Sequence, residues 1–215
     1  MRWNYIFWDW NGTIVDDLEY NYNIVNMLLE KYGLPLISIE DYRNEFCFPI
    51  RKFYTNIGFK CNDSEYAQIA MEYQTIYESR AKEIDISPIM VDLMSRLYSL
   101  GIKQIIFSSS DRRTLDLQLA YYPRLKPYIN GIICQDNNLG IGKFELAQNW
   151  EKELGGVDWS SVVIIGDTYY ERDIAKELGA DCILINSGHQ LIDRAATRFV
   201  FDNIEELSKE SDIFR

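Results

Sequence analysis

Histidine and cysteine are scarce in this sequence of 215 residues. The single histidine and the four scattered cysteines show neither zinc-site spacing nor an obvious disulfide framework. No apolar run is long enough to span a membrane, and the first residues lead into a strand pattern without a secretory signal. We therefore expect a reduced, cytoplasmic protein with no membrane partner. The cysteines are Cys47, Cys61, Cys134 and Cys182.

Basic side chains are also in short supply. The sequence has 22 lysine and arginine residues against 33 aspartate and glutamate residues, for a formal net charge of −11. Such a surface repels nucleic acid and anionic small molecules, so any phosphate site must supply its own local positive field. We expect no nucleic-acid partner, and a monomer or weak homodimer.

The pattern of apolar residues indicates an α/β core interrupted by helices. Residues 5–8 are typical of a short buried strand, and four helical patterns then follow one another. From residue 85 onward, strands alternate with helices, which predicts a parallel sheet with helices on both faces. We therefore expect an α/β core of residues 1–15 and 85–215 with a helical cap of residues 16–84. The later strands are predicted at 103–107, 131–134, 162–165, 182–185 and 199–201.

Reactive side chains follow several of these strands. Asp9 ends the first strand and Ser108 ends the second. Lys143 opens a later helix, and Asp167 follows four branched apolar residues and a glycine, with Glu171 four residues further on. Open α/β sheets bind their ligands at the carboxyl ends of the strands. A shared site at one edge of the sheet is therefore predicted.

Each of these residues also has an ordinary structural explanation. Asp9 could cap the next turn, and Lys143 could be a solvated surface lysine. A lysine at a helix start opposes the helix dipole, however, and a bound anion would remove that conflict. The Gly140-x-Gly142 pattern before Lys143 is too short for a dinucleotide fingerprint. Asp173 is a competing acid that better suits a solvated helix face.

The stretch from Asp9 to Thr13, Asp-Trp-Asn-Gly-Thr, resembles the nucleophile loop of the haloacid dehalogenase-like superfamily. That loop is commonly written DxDGT, and Asn11 replaces its second aspartate. The ordered strand ends resemble the four motifs of the superfamily, and the resemblance covers nearly the whole chain. The helical insert resembles the cap of the phosphoglycolate phosphatase and β-phosphoglucomutase branch. The implied fold is a Rossmann-like core with a helical cap inserted after the first strand.

The resemblance implies a Mg²⁺-dependent phosphatase that acts on a small phosphorylated metabolite. Asp9 would be the nucleophile and would form an aspartyl-phosphate. Ser108 and Lys143 would hold the phosphoryl oxygens. Gly12, Thr13 and Ser109 are expected to bind substrate beside them. The implied magnesium ligands are Asp9, the backbone carbonyl of Asn11, Asp167 and, directly or through water, Glu171, and such hard oxygen donors suit Mg²⁺ rather than zinc.

Residues outside the four motifs are predicted to set specificity. Arg51, in a basic and aromatic stretch of the cap, is a candidate for binding a second anionic group on the substrate. Arg43 and Arg112 are weaker candidates of the same kind. His189 is expected in a loop near the rim of the site rather than as a catalytic base.

Asn11 leaves three interpretations open. An amide has no proton to exchange at neutral pH, so the leading prediction is a slow phosphatase with a long-lived phospho-Asp9. A pseudoenzyme that binds phosphate or a partner is the second. The third is a hydrolase of different bond specificity: a phosphonatase would need a cap lysine such as Lys52 or Lys60, and a dehalogenase would not need the acids Asp167 and Glu171.

Overall fold

A parallel sheet forms the centre of the computed structural model, which describes residues 2–135, 142–153 and 155–215. Its strands are β1 (Tyr5–Trp8), β2 (Lys103–Asp111), β3 (Gly131–Gln135), β4 (Val162–Gly166), β5 (Asp181–Ile185) and β6 (Phe199–Phe201). Within the described residues, the six strands lie in the order β3-β2-β1-β4-β5-β6, and every neighbouring pair is parallel. The predicted α/β class with a parallel sheet is therefore confirmed.

Helices occupy the segments between the strands. The first four are α1 (Leu18–Lys31), α2 (Ile39–Glu45), α3 (Ile50–Asn56) and α4 (Asp63–Arg80), and the later ones are α5 (Pro88–Ser99), α6 (Arg112–Tyr121), α7 (Lys143–Glu153), α8 (Tyr169–Leu178) and α9 (Ile204–Lys209). A capping box formed by Ser38 and Asp41 begins α2. Pro49 is the residue before α3 and not part of its first turn. No helix in the described ranges combines the length and hydropathy needed to cross a membrane.

The central strand β1 is buried on both faces. Ile6 and Trp8 point into one hydrophobic cluster, and Phe7 points into another on the opposite face. β1 pairs with β2 on one side and with β4 on the other. The chain thus extends the sheet in one direction through β3 and then in the other through β6. Ligands of open α/β sheets bind where the order reverses in this way, which is directly after β1.

The helical segment, residues 16–84, packs largely around a hydrophobic cluster of its own. Buried aliphatic residues of α1 meet aromatic residues of α2 and α3 in this cluster, which includes Leu28, Tyr42 and Phe53. Aromatic side chains pack edge to face there, as between Tyr42 and Phe53, whose ring centroids are 5.2 Å apart. The description of this segment as a separate cap domain stays a prediction.

Burial should decide how two leucines respond to the same truncation. Leu93 in α5 is fully buried in the core, whereas Leu117 in α6 is 50% exposed. We expect Leu93→Ala to lower the free energy of unfolding by about 2–5 kcal/mol, because it removes buried contacts and leaves a cavity. Leu117→Ala should change it by less than about 0.5 kcal/mol. Urea denaturation of both variants measures the difference, and equal losses would contradict this account of the core.

Candidate active site

The loop after β1 turns back sharply and carries Asp9 to the edge of the sheet. The backbone amides of Ile14 and Val15 both donate to the carbonyl of Trp10, at 3.0 and 2.9 Å, and close the turn. Gly12 has a φ of +75°, which disfavours residues with a side chain. A Cβ on Gly12 would also lie 2.3 Å from an oxygen of Asp167. The glycine therefore allows the loop to pack directly against the acid that follows β4.

Three carboxylates and one ammonium meet below this loop. Asp9, Asp167 and Glu171 each offer an oxygen, and these atoms all lie within 4.8 Å of one another. The Nζ of Lys143 lies 2.5 Å from Oδ1 of Asp9 and 2.8 Å from Oε1 of Glu171. Lys143 is only 2% exposed, so it is a buried ion-pair partner and not a solvated surface residue.

The cluster of Asp9, Asp167, Glu171 and Lys143 contains more negative than positive charge. Burial raises the pKa of Asp9, and the neighbouring Glu171 and Asp167 raise it further against the opposing effect of Lys143. Burial would lower the pKa of Lys143, but Asp9 and Glu171 outweigh burial and raise it. Three carboxylates face one ammonium, an excess of two negative charges. A divalent cation that prefers oxygen ligands suits both the charge and the donor set.

Backbone and hydroxyl donors hold the acids in place. The backbone amide of His189 donates to Oδ2 of Asp167 at 2.6 Å, and the hydroxyl of Thr13 donates to its Oδ1 at 3.3 Å. Glu171 lies in the first turn of α8 and accepts a hydrogen bond from the hydroxyl of Thr168. Asp173 is exposed and pairs with Arg172, as expected for a residue on a solvated helix face.

The predicted phosphoryl-binding residues open onto the same cavity, which has a volume of about 280 Å³. Ser108 is buried within β2, which continues past the predicted strand end to Asp111, and its hydroxyl accepts from the backbone amide of Ser110 at 3.1 Å. Gly12 and Thr13 contact Asp167, but they do not themselves line the cavity. Among the predicted site residues, those that do line it are Asp9, Asn11, Ser108, Ser109, Lys143 and Asp167. Gly140 lies outside the described residues.

Comparison with known proteins shows the family of this chain. The family model of haloacid dehalogenase-like hydrolases matches residues 6–185, which is most of the chain. The chain belongs to the haloacid dehalogenase-like hydrolase family. The family assignment suggested by the Asp9 loop is therefore confirmed. A comparison with curated protein sequences finds no match.

Solved structures with the same fold cover nearly the whole chain at low identity. A haloacid dehalogenase-like hydrolase from Streptococcus pneumoniae is 18% identical, with a TM-score of 0.79 over 98% of this chain and 99% of that one. A predicted phosphatase from Clostridium acetobutylicum is 19% identical, with a TM-score of 0.79 over 99% and 100%. A predicted phosphoglycolate phosphatase from Haemophilus somnus is 13% identical, with a TM-score of 0.75 over 98% and 99%. These similarities establish the fold.

A second buried network surrounds the residue that departs from the family pattern. The Nδ2 of Asn11 donates to Oδ2 of Asp17 at 2.6 Å and to the hydroxyl of Tyr77 at 2.8 Å. Oδ1 of Asp17 accepts from the backbone amide of Gly12 at 2.8 Å and lies 3.1 Å from Nε2 of His189. Both hydrogens of the Asn11 amide are thus used, and the nearest carboxylate belongs to Asp17.

Sequence patterns did not reveal this network. Asp17 occupies the position before α1, but its side chain makes no capping hydrogen bond and belongs to the network instead. His189 lies in a loop, as predicted, but it is 5% exposed and lines the cavity instead of sitting at an open rim. Burial would lower the pKa of His189, but the adjacent Asp17 carboxylate outweighs it and raises the pKa to about 9.

The basic residues of the helical segment that were candidates for binding a second anionic group lie outside the cavity. Arg51 donates to the carbonyl of Cys61 at 3.0 Å and pairs with Asp63 at 2.8 Å, so it holds α3 to the start of α4. Arg43 donates to loop carbonyls, including that of Gly188 at 3.0 Å. Neither arginine lines the cavity.

The remaining basic candidates also lie away from the cavity. Arg112 pairs with Asp116 on an exposed face of α6. Lys52 and Lys60 are exposed, and neither lines the cavity. The structure therefore brings none of these three side chains to the position that a substrate group would occupy.

Because His189 is the only histidine, NMR can report on this network directly. In metal-free buffer its imidazole should titrate near the pKa of about 9, well above its ordinary value of 6.5. Folding raises this pKa, so the ion pair between His189 and Asp17 contributes its full stabilisation of the fold below pH 6.5. That contribution is lost as the pH rises through about 9, where the imidazole loses its proton. Asp17→Asn should lower the pKa of His189, because burial still lowers this pKa while the Asp17 charge that raises it has been removed. An unchanged titration would show that Asp17 is not the partner.

Proposed function

We propose that this protein is a Mg²⁺-dependent phosphatase acting on a small phosphorylated metabolite. The observation that carries the proposal is the buried contact of Lys143 with both Asp9 and Glu171, in the cavity that Ser108 and Asp167 also line. This arrangement places a nucleophile and a fixed positive charge at the same point. Family membership and the fold shared with predicted phosphatases support the same activity.

Asp9 is oriented for nucleophilic attack on phosphorus. Its Oδ1 is held by Lys143 at 2.5 Å, and its Oδ2 has no hydrogen-bond partner among the described residues. The free oxygen attacks the phosphorus atom, the bond to the alcohol oxygen breaks, and that oxygen leaves with the electron pair. The ammonium of Lys143 and the hydroxyl of Ser108 stabilise the charge that develops on the phosphoryl oxygens. Water then hydrolyses the aspartyl-phosphate.

Mg²⁺ fits the excess of negative charge described above. Asp9, Asp167 and the backbone carbonyl of Asn11 would hold it, with Glu171 acting directly or through water. When bound, the ion neutralises charge on the phosphoryl group and on the three acids. The carbonyl ligand is unaffected by the exchange of aspartate for asparagine at position 11, so the exchange leaves this part of the site intact.

Asn11 makes the proposed enzyme slow. Its two amide hydrogens are engaged by Asp17 and Tyr77, and it has no acidic proton to give to a leaving alcohol. General acid–base catalysis is typically worth about 10²- to 10⁴-fold, a small part of the acceleration that phosphatases achieve. Turnover is therefore reduced and not abolished. The exposed positions of Lys52 and Lys60 give no support to the phosphonatase alternative, and the retained acids Asp167 and Glu171 argue against a dehalogenase.

Removal of the metal or of the nucleophile should abolish activity. We expect hydrolysis of an aryl phosphate in Mg²⁺ buffer, and none after chelation or in Asp9→Asn, which lacks the nucleophilic carboxylate. Asp167→Ala should bind Mg²⁺ more weakly by calorimetry. Asp173→Ala is the matched control, because this exposed acid of α8 lies outside the cluster. Activity that is equal with and without Mg²⁺ would contradict the proposal.

A double variant that exchanges the amide of residue 11 with the carboxylate of residue 17 tests the role of Asn11 without changing the net charge. Asn11→Asp alone would place a carboxylate at hydrogen-bond distance from Asp17, and the two like charges would share a proton. Asn11→Asp combined with Asp17→Asn keeps the hydrogen bond between the two side chains, with the amide now at position 17 as donor. We expect the double variant to raise kcat for alkyl phosphates by about 10²-fold. The gain should be smaller for aryl phosphates, whose leaving groups need no proton.

The control for this experiment is chemical. Asn11-Gly12 is prone to deamidation because glycine does not shield its backbone nitrogen, so peptide mass spectrometry must verify Asn11 in the wild-type protein. Persistence of phospho-Asp9 in verified wild-type protein supports a slow second step. If verified wild type and the double variant both bind phosphate but neither turns over, the pseudoenzyme interpretation replaces this one.

A further inference from the structure

The cavity has a polar floor and an aromatic roof. The core contributes the acids, serines and Lys143 to the floor. The helical segment contributes thirteen lining residues, of which eight are aromatic and none is charged. Phe48 and Tyr54 are examples from the roof, and Ala70 in α4 is its smallest member. An amphipathic ligand with one anionic end suits this division, because apolar walls with few polar groups favour apolar ligand surface.

Among the described residues that line the cavity, no cation remains to bind a second anionic group. Among the described lining residues, the cations are Lys143 and His189, which pair with Asp9 and Asp17 respectively. Arg51 packs against Tyr66 at 5.5 Å but pairs with Asp63. The residues outside the described ranges include no lysine, arginine or histidine in the sequence. A substrate carboxylate at the roof would therefore lose its hydration without gaining a partner.

Two roof hydroxyls, those of Tyr54 and Tyr66, have no hydrogen-bond partner among the described residues, and Tyr54 is the more deeply buried of the two. Tyr42 and Tyr77 both use their hydroxyl groups, at 3.1 Å from Nδ1 of His189 and 2.9 Å from Asp17. Tyr54 lines the cavity and is 4% exposed, but its hydroxyl has no hydrogen-bond partner among the described residues. Burial raises the pKa of Tyr54, so the hydroxyl is neutral. It can donate to, or accept from, an uncharged group on a ligand.

We propose that the substrate is a phosphate monoester of an uncharged alcohol with an apolar, ring-sized body, bearing a neutral polar group that Tyr54 binds. The aromatic roof provides the contact surface for that body, and the lack of an available cation disfavours esters whose alcohol carries a carboxylate, such as phosphoglycolate. This inference rests on the proposed phosphatase function, since it takes the polar floor as the phosphate site.

Non-hydrolysable phosphonates separate recognition of the body from leaving-group chemistry. Calorimetry in Mg²⁺ buffer would compare methylphosphonate, benzylphosphonate, 4-carbamoylbenzylphosphonate and 4-carboxybenzylphosphonate. The last two have the same shape and differ in charge. We expect benzylphosphonate to bind about tenfold more tightly than methylphosphonate, from ring contacts with the roof. The carbamoyl compound should bind more tightly than its carboxylate counterpart, and Tyr54→Phe should weaken the carbamoyl compound but not benzylphosphonate.

A lysine introduced into the roof should reverse the discrimination. Ala70→Lys places a cation beside the aromatic residues and should favour the carboxylate compound over the carbamoyl one. Ala67→Lys is the matched control, because Ala67 lies one turn earlier in α4, is exposed and does not line the cavity. It should leave the wild-type order unchanged.

The outcomes distinguish the two proposals. If methylphosphonate and inorganic phosphate fail to bind in Mg²⁺ buffer, the proposed phosphatase function fails. If they bind but benzylphosphonate gains nothing, or if the carboxylate compound binds most tightly to the wild type, only the inference about the substrate is overturned.

Discussion

The contact of Lys143 with Asp9 and Glu171 is the interaction on which the site depends. Burial of several carboxylates together is costly unless counter-charges and hydrogen bonds compensate, and one ammonium compensates only part of this cluster. The surrounding structure has the corresponding features: donors from Thr13 and the His189 backbone, and glycines where the loops approach Asp167. In the proposed phosphatase, a site assembled in this way would be prepared for a cation and a phosphoryl group before either binds.

The two parts of the chain contribute different physical properties to the cavity. The sheet edge supplies charge and hydrogen-bonding groups, and Asp9 and Asp167 are fixed there because they follow the buried strands β1 and β4. The helical segment supplies a roof of aromatic side chains, whose recognition depends on shape and contact area. Asp17 connects the two parts, because it accepts hydrogen bonds from Gly12 in the nucleophile loop and from Tyr77 in α4. A change in either part can therefore affect the other through Asp17.

Much of the fold could be predicted because local patterns determine it. The buried strand before Asp9 and the branched apolar run before Asp167 are signals within a few residues, and each produced the expected element. The contacts of Asp17 could not be predicted in this way. Its partners His189 and Tyr77 lie 172 and 60 residues away, and no local pattern reports such separations. The prediction that Arg51 binds substrate failed for the same reason, because composition does not reveal that Cys61 and Asp63 already bind this side chain.

The sequence by itself determined the family, the parallel α/β core and the reactive residues at the strand ends, because strand periodicity and turn chemistry are local properties of the chain. Only the tertiary structure decided how these residues act together. It showed that Lys143 is a buried ion-pair partner, that the amide hydrogens of Asn11 are already engaged, and that no roof residue among those described carries a charge. Burial, pairing and distance arise from packing between remote segments, and they decide which charges remain available to a ligand.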